Sequence, residues 1–552
     1  MHTGSRNFGI SFADSNRPLN VLLSICAWVT GLSIFLLLLQ PATISLYDEA
    51  IILTGALHWI HGNMPGVDFY TVYGPLQFFI VSLFLKLGDG NFIFSRILYS
   101  LILAIPIVVL SRLFIEKTLV ERSLKYAFIS GMLFFCTAFS SPSYPSHSLS
   151  LLVVLLLLLK LNDTLERTRI LNSVCLSIIL SLVFLLRPTV GVVLVIGLLC
   201  AIPFDAYNRN KFSAVWMLKE LRSLITACAM CVVALIVINQ QTQGSLVAVL
   251  DIILNLQSAI YASMRGLPFP GIHPGPQTIE AYAVFFAAYF PLLGMLCGAC
   301  LYLCHLLGIT ALLANNSRTL FWLLFSSSLL YTLGMVRTDA PHLLPTIILS
   351  SATIGYTLSI IIKKSLKNRV WTGFFAVNLT LASLCIAICL WMFGWSTPAN
   401  RPSVMQACKV QIMTQSLTDC LQVPENMSVV LPKLKEILSH DEKIFSANTR
   451  HDRIFINNMA YYAYSGHLPI SFWAHMDPGV QTTAPIQLEI IDELVQYATE
   501  NGRSIVVISN PAFKVEPNQS AVSSDVTLLD DYLRSCATLF VHDDSRILSC
   551  NS

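Results

Sequence analysis

Long apolar runs separated by short polar segments dominate this chain. They fall near residues 21–39, 93–112, 126–141, 147–161, 172–186, 188–204, 223–239, 281–311, 319–335, 343–362 and 371–395. A helix needs roughly 20 apolar residues to cross about 30 Å of hydrocarbon, and most of these runs approach that length. The pattern predicts a mainly α, polytopic membrane bundle of about eleven transmembrane helices. Leu76 to Leu87 is strongly apolar but only about twelve residues long, so it is expected to lie in the interface as a juxtamembrane helix or to re-enter rather than cross. Its alternative, a short tilted span, would invert every later loop. After Trp395 the pattern changes: Pro, Asn, Asp, Glu and His become common and no run is long enough to span. Lys443 to Ala447 and Ser504 to Asn510 have the look of buried strands, while Ile486 to Asn501 and Thr527 to Ser535 carry helical spacing. The chain therefore divides into a membrane domain, residues 1–395, and a compact α/β domain, residues 396–552.

Charge adds orientation. Lys and Arg concentrate in alternate loops: Arg112, Lys117, Arg122 and Lys125; Lys160, Arg167 and Arg169; Arg209, Lys211, Lys219 and Arg222; Arg318; and Lys363, Lys364, Lys367 and Arg369. The opposite set holds only Lys86, Arg96, Arg187, Arg265 and Arg337. Cytoplasmic loops carry the cationic excess, so the amino terminus is expected inside and the carboxy-terminal domain outside. The first run, preceded by Arg6 and Arg17 and lacking a small-x-small cleavage site before Gln40-Pro41, is expected to be an uncleaved anchor.

Composition agrees. Hydrophobic residues make up 55% of 552 positions, charged residues 12%, and mean hydropathy is +0.67, outside the soluble globular range. The net charge of +3 is too small, and its cations too scattered, for a nucleic-acid partner. Of the 15 cysteines, all but Cys408, Cys420, Cys536 and Cys550 fall in expected spans. Those four lie in the outer domain, where an oxidising compartment favours disulfides and the short spacings pair Cys408 with Cys420 and Cys536 with Cys550.

The candidate chemistry sits at the outer face. The sequence contains no Walker loop, GxGxxG after a strand, HExxH or GxSxG, which removes nucleotide-driven transport, hydride transfer and the common hydrolases. What remains is the stretch from Leu46 to Arg96, directly after the first span, with adjacent carboxylates Asp48 and Glu49. A carboxylate at the bilayer edge is poorly hydrated and suited to accept a proton from a hydroxyl. Asp48 equally suits the cap of a helix beginning at Glu49. Asp68 suits the turn after Pro65-Gly66, and Arg96 and Arg187 suit snorkelling to the interface. The outer loop Val336-Arg337-Thr-Asp339-Ala-Pro-His342 packs three ionisable residues closely, and Arg265 to Pro276 is too rich in Pro and Gly for regular structure.

Tyr47-Asp48-Glu49-Ala50, Gly62-Asn-Met-Pro-Gly-Val-Asp68-Phe, Gly74-Pro75-Leu76, Leu87-Gly88 and Ser95-Arg96-Ile97-Leu98 resemble, in order and spacing, the first outer loop of GT-C superfamily glycosyltransferases. The branch most similar contains protein O-mannosyltransferases, lipid A aminoarabinose transferases and bacterial relatives. Leu186-Arg187-Pro188, Arg337 to His342, Asn457 to Gly466 and His475 to Val480 extend the resemblance weakly along the chain. It implies a helical bundle with juxtamembrane helices and a distal outer domain in the inner (plasma) membrane. It also implies inverting transfer of a sugar from a polyprenyl-phosphate donor to a glycan, lipid or protein acceptor, with Asp48 as general base. Glu49, Asp68, Tyr73, Arg96, Arg187, Arg265, Arg337, Asp339 and His342 are then expected to contact substrate, the arginines being the outer-face cations available to a leaving phosphate. No metal ligand set is assigned. Two departures leave the donor and a divalent cation open: Val72-Tyr73-Gly74 precedes Pro75-Leu76 where the aminoarabinose branch tends to carry Lys, and Ser141 to Ser148 holds His147 but no carboxylate. A transporter or flippase of polyprenyl-linked glycans is the alternative. It would normally show internal repeats and interrupted helices, and the chain has no convincing halves.

The orientation is directly testable. A reporter fused after Trp395 is expected to be active only in its extracytoplasmic form, and one fused near Arg209 only in its cytoplasmic form. Both reporting the same side would overturn the span order.

Overall fold

The computed structural model describes residues 17–45, 48–114, 119–139, 145–162, 169–209, 211–257, 269–270, 279–309, 313, 316–334, 340–365, 423–439, 441–453, 457–474, 483–509 and 522–551. Ten helices occupy the places the apolar runs predict up to residue 365: α1 (Arg17–Leu39), α4 (Ile93–Ser111), α5 (Leu119–Phe139), α6 (Pro145–Asn162), α7 (Arg169–Leu186), α8 (Pro188–Asn208), α9 (Ala214–Gln241), α11 (Ile279–Leu306), α12 (Ser317–Gly334) and α13 (Ala340–Ser365). Six of them, α1, α4, α8, α9, α11 and α13, are long and apolar enough to cross a membrane. In hydrocarbon only intrahelical bonds satisfy the backbone, which is why these runs adopt no other structure. The expected span at 371–395, the boundary at 395/396 and Cys408 with Cys420 lie outside the described residues.

Between α1 and α4 lie α2 (Asp48–Ile60) and α3 (Pro75–Leu87), each 13 residues and packed on one another. Pro75 opens α3, where its missing N–H costs nothing. Its Phe79, Leu83 and Leu87 form an exposed apolar stripe at helical spacing, while Phe78, Val81 and Leu85 are buried. This is the face pattern of a helix lying in an interface. A short helix, α10 (Ser245–Asp251), arises in the loop after α9, where none was expected.

The bundle is tied at the end opposite this loop. Asp205 of α8 accepts hydrogen bonds from Arg209 Nε at 2.8 Å, Arg318 Nε at 2.9 Å and Trp322 Nε1 at 3.0 Å. Arg318 also donates to the last carbonyls of α6, Leu161 O at 3.1 Å and Lys160 O. Arg318, which the loop pattern placed among orienting cations, thus joins α6, α8 and α12 at one end.

The carboxy-terminal domain is built on a mixed four-stranded sheet of order β1-β2-β4-β3. β1 (Ile444–Ala447) runs parallel to β2 (Ser504–Ile508), Ile444 opposite Ile505. β4 (Ser545–Cys550) is antiparallel to β2 and to β3 (Ala537–His542). The sheet is covered on both faces, and side-chain alternation assigns each residue to one. Phe445, Val506 and Leu548 pack with Ile486, Ile490 and Leu494 of α17 (Ala484–Asn501) and Leu529 and Leu533 of α18 (Leu528–Ser535). Ile444, Ile505, Val507 and Ile547 point the other way. They meet α15 (Val430–Ile437) and α16 (Ala460–Ser465), the short α14 (Glu425–Ser428) preceding them. β1, β2, α17 and α18 match the expected elements within about three residues at each end. The β3–β4 hairpin was not anticipated: β3 is largely exposed, and its turn at Asp543-Asp544 lacks an Asn-Gly or Gly signal. The expected Cys536–Cys550 disulfide is present and joins the two ends of that hairpin.

Candidate active site

The segment from Pro41 to Ser45 is held by side-chain hydrogen bonds to its backbone. Arg96, in the first turn of α4, donates from Nε to Glu49 Oε1 at 2.7 Å and from Nη2 to Glu49 Oε2 at 2.9 Å. It also donates to Thr43 O at 2.9 Å and to Pro41 O. Glu49 Oε2 in turn accepts from Ser45 N at 3.0 Å. Both side chains of the pair are 0% exposed. Arg96 thus uses four of its five N–H donors on this wall, and Glu49 sits in the first turn of α2, where the helix dipole favours negative charge. Glu49 and Arg96, expected to contact substrate, here present no surface to one. Asp48 is the first residue of α2, one position before this clamp.

The link from α2 to α3 is a folded loop. Gly62 and Gly66 take φ of 87° and 79°, and a Cβ on Gly66 would meet Val249 of α10 at 2.9 Å. Ser245 of α10 donates to Pro65 O at 2.6 Å. Asp68 Oδ2 accepts from Met64 N at 2.6 Å, so this carboxylate closes the turn, the structural role its sequence suited. His58 stacks on Phe69 with ring centroids 4.5 Å apart, and its Nδ1 meets Asn63 Nδ2 at 3.0 Å. Burial, with Lys443 and His61 adding to it, pushes the His58 imidazole down to about 3, so the ring is neutral. Its Nε2 borders a cavity with room for about one water molecule, lined by Thr54, Phe69, Met459 and Phe472 among others.

The loop then reaches the break between α7 and α8. Gly74 N donates to Leu186 O at 3.0 Å, and a Cβ there would stand 2.0 Å from Leu185 O. Only glycine allows this approach. It sets the Tyr73 ring beneath the Arg187 guanidinium, 6.0 Å from centroid to Cζ, a cation–π arrangement. Two residues far apart in sequence and expected near substrate are therefore brought together. His342, in the first turn of α13, lies near enough to His147 of α6 for the two imidazoles to interact. Arg265, Arg337 and Asp339 lie outside the described residues. Among the described residues no three His, Cys, Asp or Glu side chains converge to hold a metal ion.

The carboxy-terminal domain seats directly on this loop. Tyr70 N donates to Phe472 O at 2.8 Å, Thr54 Oγ1 to Met459 O at 3.3 Å, and Ile44 N to Tyr464 Oη at 3.0 Å. One apolar cluster runs from Ile44, Ile52 and Phe78 through Tyr461 to Ile505. Sequence reasoning gave His58 and Tyr464 no role. Nothing local to either marks it, because each acts through partners that only the fold supplies.

The described helices and sheet match, over 96% of this chain and 98% of the other, the crystal structure of ArnT from Cupriavidus metallidurans bound to undecaprenyl phosphate, with a TM-score of 0.54 at 11% identity. The same protein in its apo state matches with a TM-score of 0.53 at 11% identity, covering 97% of this chain and 98% of that one. The chain shares the overall fold of this ArnT structure. No family model matches the chain, and no curated protein matches it in sequence.

The Gly74 contact gives a clean test. Gly74→Ala is expected to lower the melting temperature in detergent, since forcing a methyl into a packed backbone contact costs about 1–3 kcal/mol. Gly31→Ala, with nothing within 4 Å of its Cβ, is expected to leave melting unchanged. Equal melting of both variants would mean the α3 loop does not press on the α7–α8 break.

Proposed function

We propose that this protein is a membrane glycosyltransferase that moves a sugar from a polyprenyl-phosphate donor to an acceptor hydroxyl on the extracytoplasmic face, with inversion and with Asp48 as general base. The observation that carries the reading is the placement of Asp48: it opens α2 immediately beside a buried clamp, at the same bundle end as Arg187, Tyr73 and His342. Support comes from the fold, whose solved representative holds undecaprenyl phosphate. A donor anchored in the bilayer also dispenses with a soluble nucleotide-binding domain, in keeping with the missing nucleotide motifs.

Each residue then has a physical task. The acceptor oxygen attacks the anomeric carbon as its proton passes to the Asp48 carboxylate, and the bond from that carbon to the phosphate oxygen breaks. The released phosphate carries the developing charge, which Arg187, Arg265 and Arg337 are placed in sequence to neutralise. Arg96 is not among them, its donors being spent on Glu49 and the backbone. The exposed stripe of α3 rests in lipid and keeps the site at the depth of the donor's headgroup. The 396–552 domain forms the roof, and its seam with α2 and α3 fixes the acceptor side.

The test separates chemistry from binding. Asp48→Asn keeps size and capping capacity but removes the base. It is expected to melt and to bind donor lipid like wild type while turning over at least about a hundredfold more slowly. Arg187→Ala is expected instead to weaken donor binding. Normal turnover by Asp48→Asn, with Asp48→Ala merely unfolding, would make Asp48 a helix cap and move the base elsewhere.

A further inference from the structure

The segment Pro41 to Ser45, which precedes Asp48 in the chain, is gripped from two directions, and only one grip belongs to the membrane domain. From below, Arg96 holds the carbonyls of Pro41 and Thr43, and Glu49 holds the amide of Ser45. From above, the Tyr464 hydroxyl of α16 accepts the amide proton of Ile44 at 3.0 Å, across 420 residues of sequence. Its ring meets Phe92, just before α4, edge to face at 6.4 Å, so the phenol is oriented by packing at the seam. Each bond to the backbone of this segment removes torsional freedom from it. Ile44, four positions before Asp48, is bonded through its backbone to the domain that carries Tyr464.

We infer that Tyr464 is a positioning residue for the Asp48 carboxylate, so that the outer domain completes the active site by fixing the backbone that carries the base. This rests on the reading of Asp48 as base. It gives the outer domain a part in the chemical step although none of its side chains touches the reacting atoms. Displacing a base by a fraction of an ångström to one ångström lowers turnover steeply while leaving the donor's lipid and phosphate contacts intact.

The experiment uses the full-length protein in nanodiscs with a polyprenyl-phosphate sugar as probe. Tyr464→Phe removes one oxygen and keeps the ring on Phe92. It is expected to lower kcat about ten- to a hundredfold with donor KM unchanged. In the Asp48→Asn background the same change is expected to have no further effect on kcat, because the group it positions is gone. Tyr462→Phe supplies the comparison: the Tyr462 hydroxyl accepts from Ser446 N at 2.7 Å, a like bond wholly inside the outer domain, and its loss is expected to lower melting without lowering kcat. A normal kcat for Tyr464→Phe, effects that multiply with Asp48→Asn, or an equal kcat loss in Tyr462→Phe each overturn the positioning role and leave the Asp48 reading standing. Full activity of Asp48→Asn overturns both.

Discussion

An arginine and a glutamate with no exposure to solvent form the interaction on which the outer face of this protein depends. Taking two charges out of water is costly, and their attraction repays it only where geometry is good and the remaining donors and acceptors are used. Here they are: the bidentate contact at 2.7 and 2.9 Å leaves Arg96 two N–H groups for the carbonyls of Pro41 and Thr43, and Glu49 one lone pair for Ser45. The pair therefore does not add stability so much as choose a conformation. It decides where α1 stops, how the chain turns, and at which point α2 and Asp48 begin.

From that choice the rest of the outer face follows. With α2 fixed, His58 stacks on Phe69, the Gly66 turn seats on α10, and the Gly74 amide closes on the α7–α8 break. The upper surface of α2 and α3 becomes the floor of the outer domain, whose sheet turns one set of alternating side chains toward its own helices and the other toward this floor. A neutral His58 at the seam makes this junction sensitive to acid. Its imidazole is held at about 3 in the fold against an ordinary 6.5, so between those pH values the unfolded chain binds a proton that the folded chain does not, and stability falls as pH falls across that window.

Much of this was legible in the sequence, for definite reasons. Hydrocarbon forces apolar runs into helices, so α1 and α4 to α9 lie where the runs do. The apolar run after Gly74 was readable as a short helix, and α3 is 13 residues long. Ile505 to Ile508 of β2 reads as a continuous apolar run because both faces of the strand are covered. The site was legible only in part. Charge type and position marked Glu49 and Arg96, but nothing in a sequence distinguishes an arginine that meets a phosphate from one that meets a glutamate 47 residues away. Tyr464 and the Gly74 contact are products of tertiary approach. The β3–β4 hairpin escaped because its exposed strand and aspartate turn carry weak local signals.

The central claim is that Glu49 and Arg96 hold the loop rather than the donor, and a double-mutant cycle reads it directly. Glu49→Met, Arg96→Met and the double variant would be measured for melting and for donor-lipid affinity. Each single change strands a buried charge and is expected to cost about 3–5 kcal/mol, while the double is expected to be more stable than either single and to bind donor lipid like wild type. A stable Arg96→Met variant that has lost donor affinity, with no coupling to Glu49, would contradict the account and return Arg96 to the phosphate.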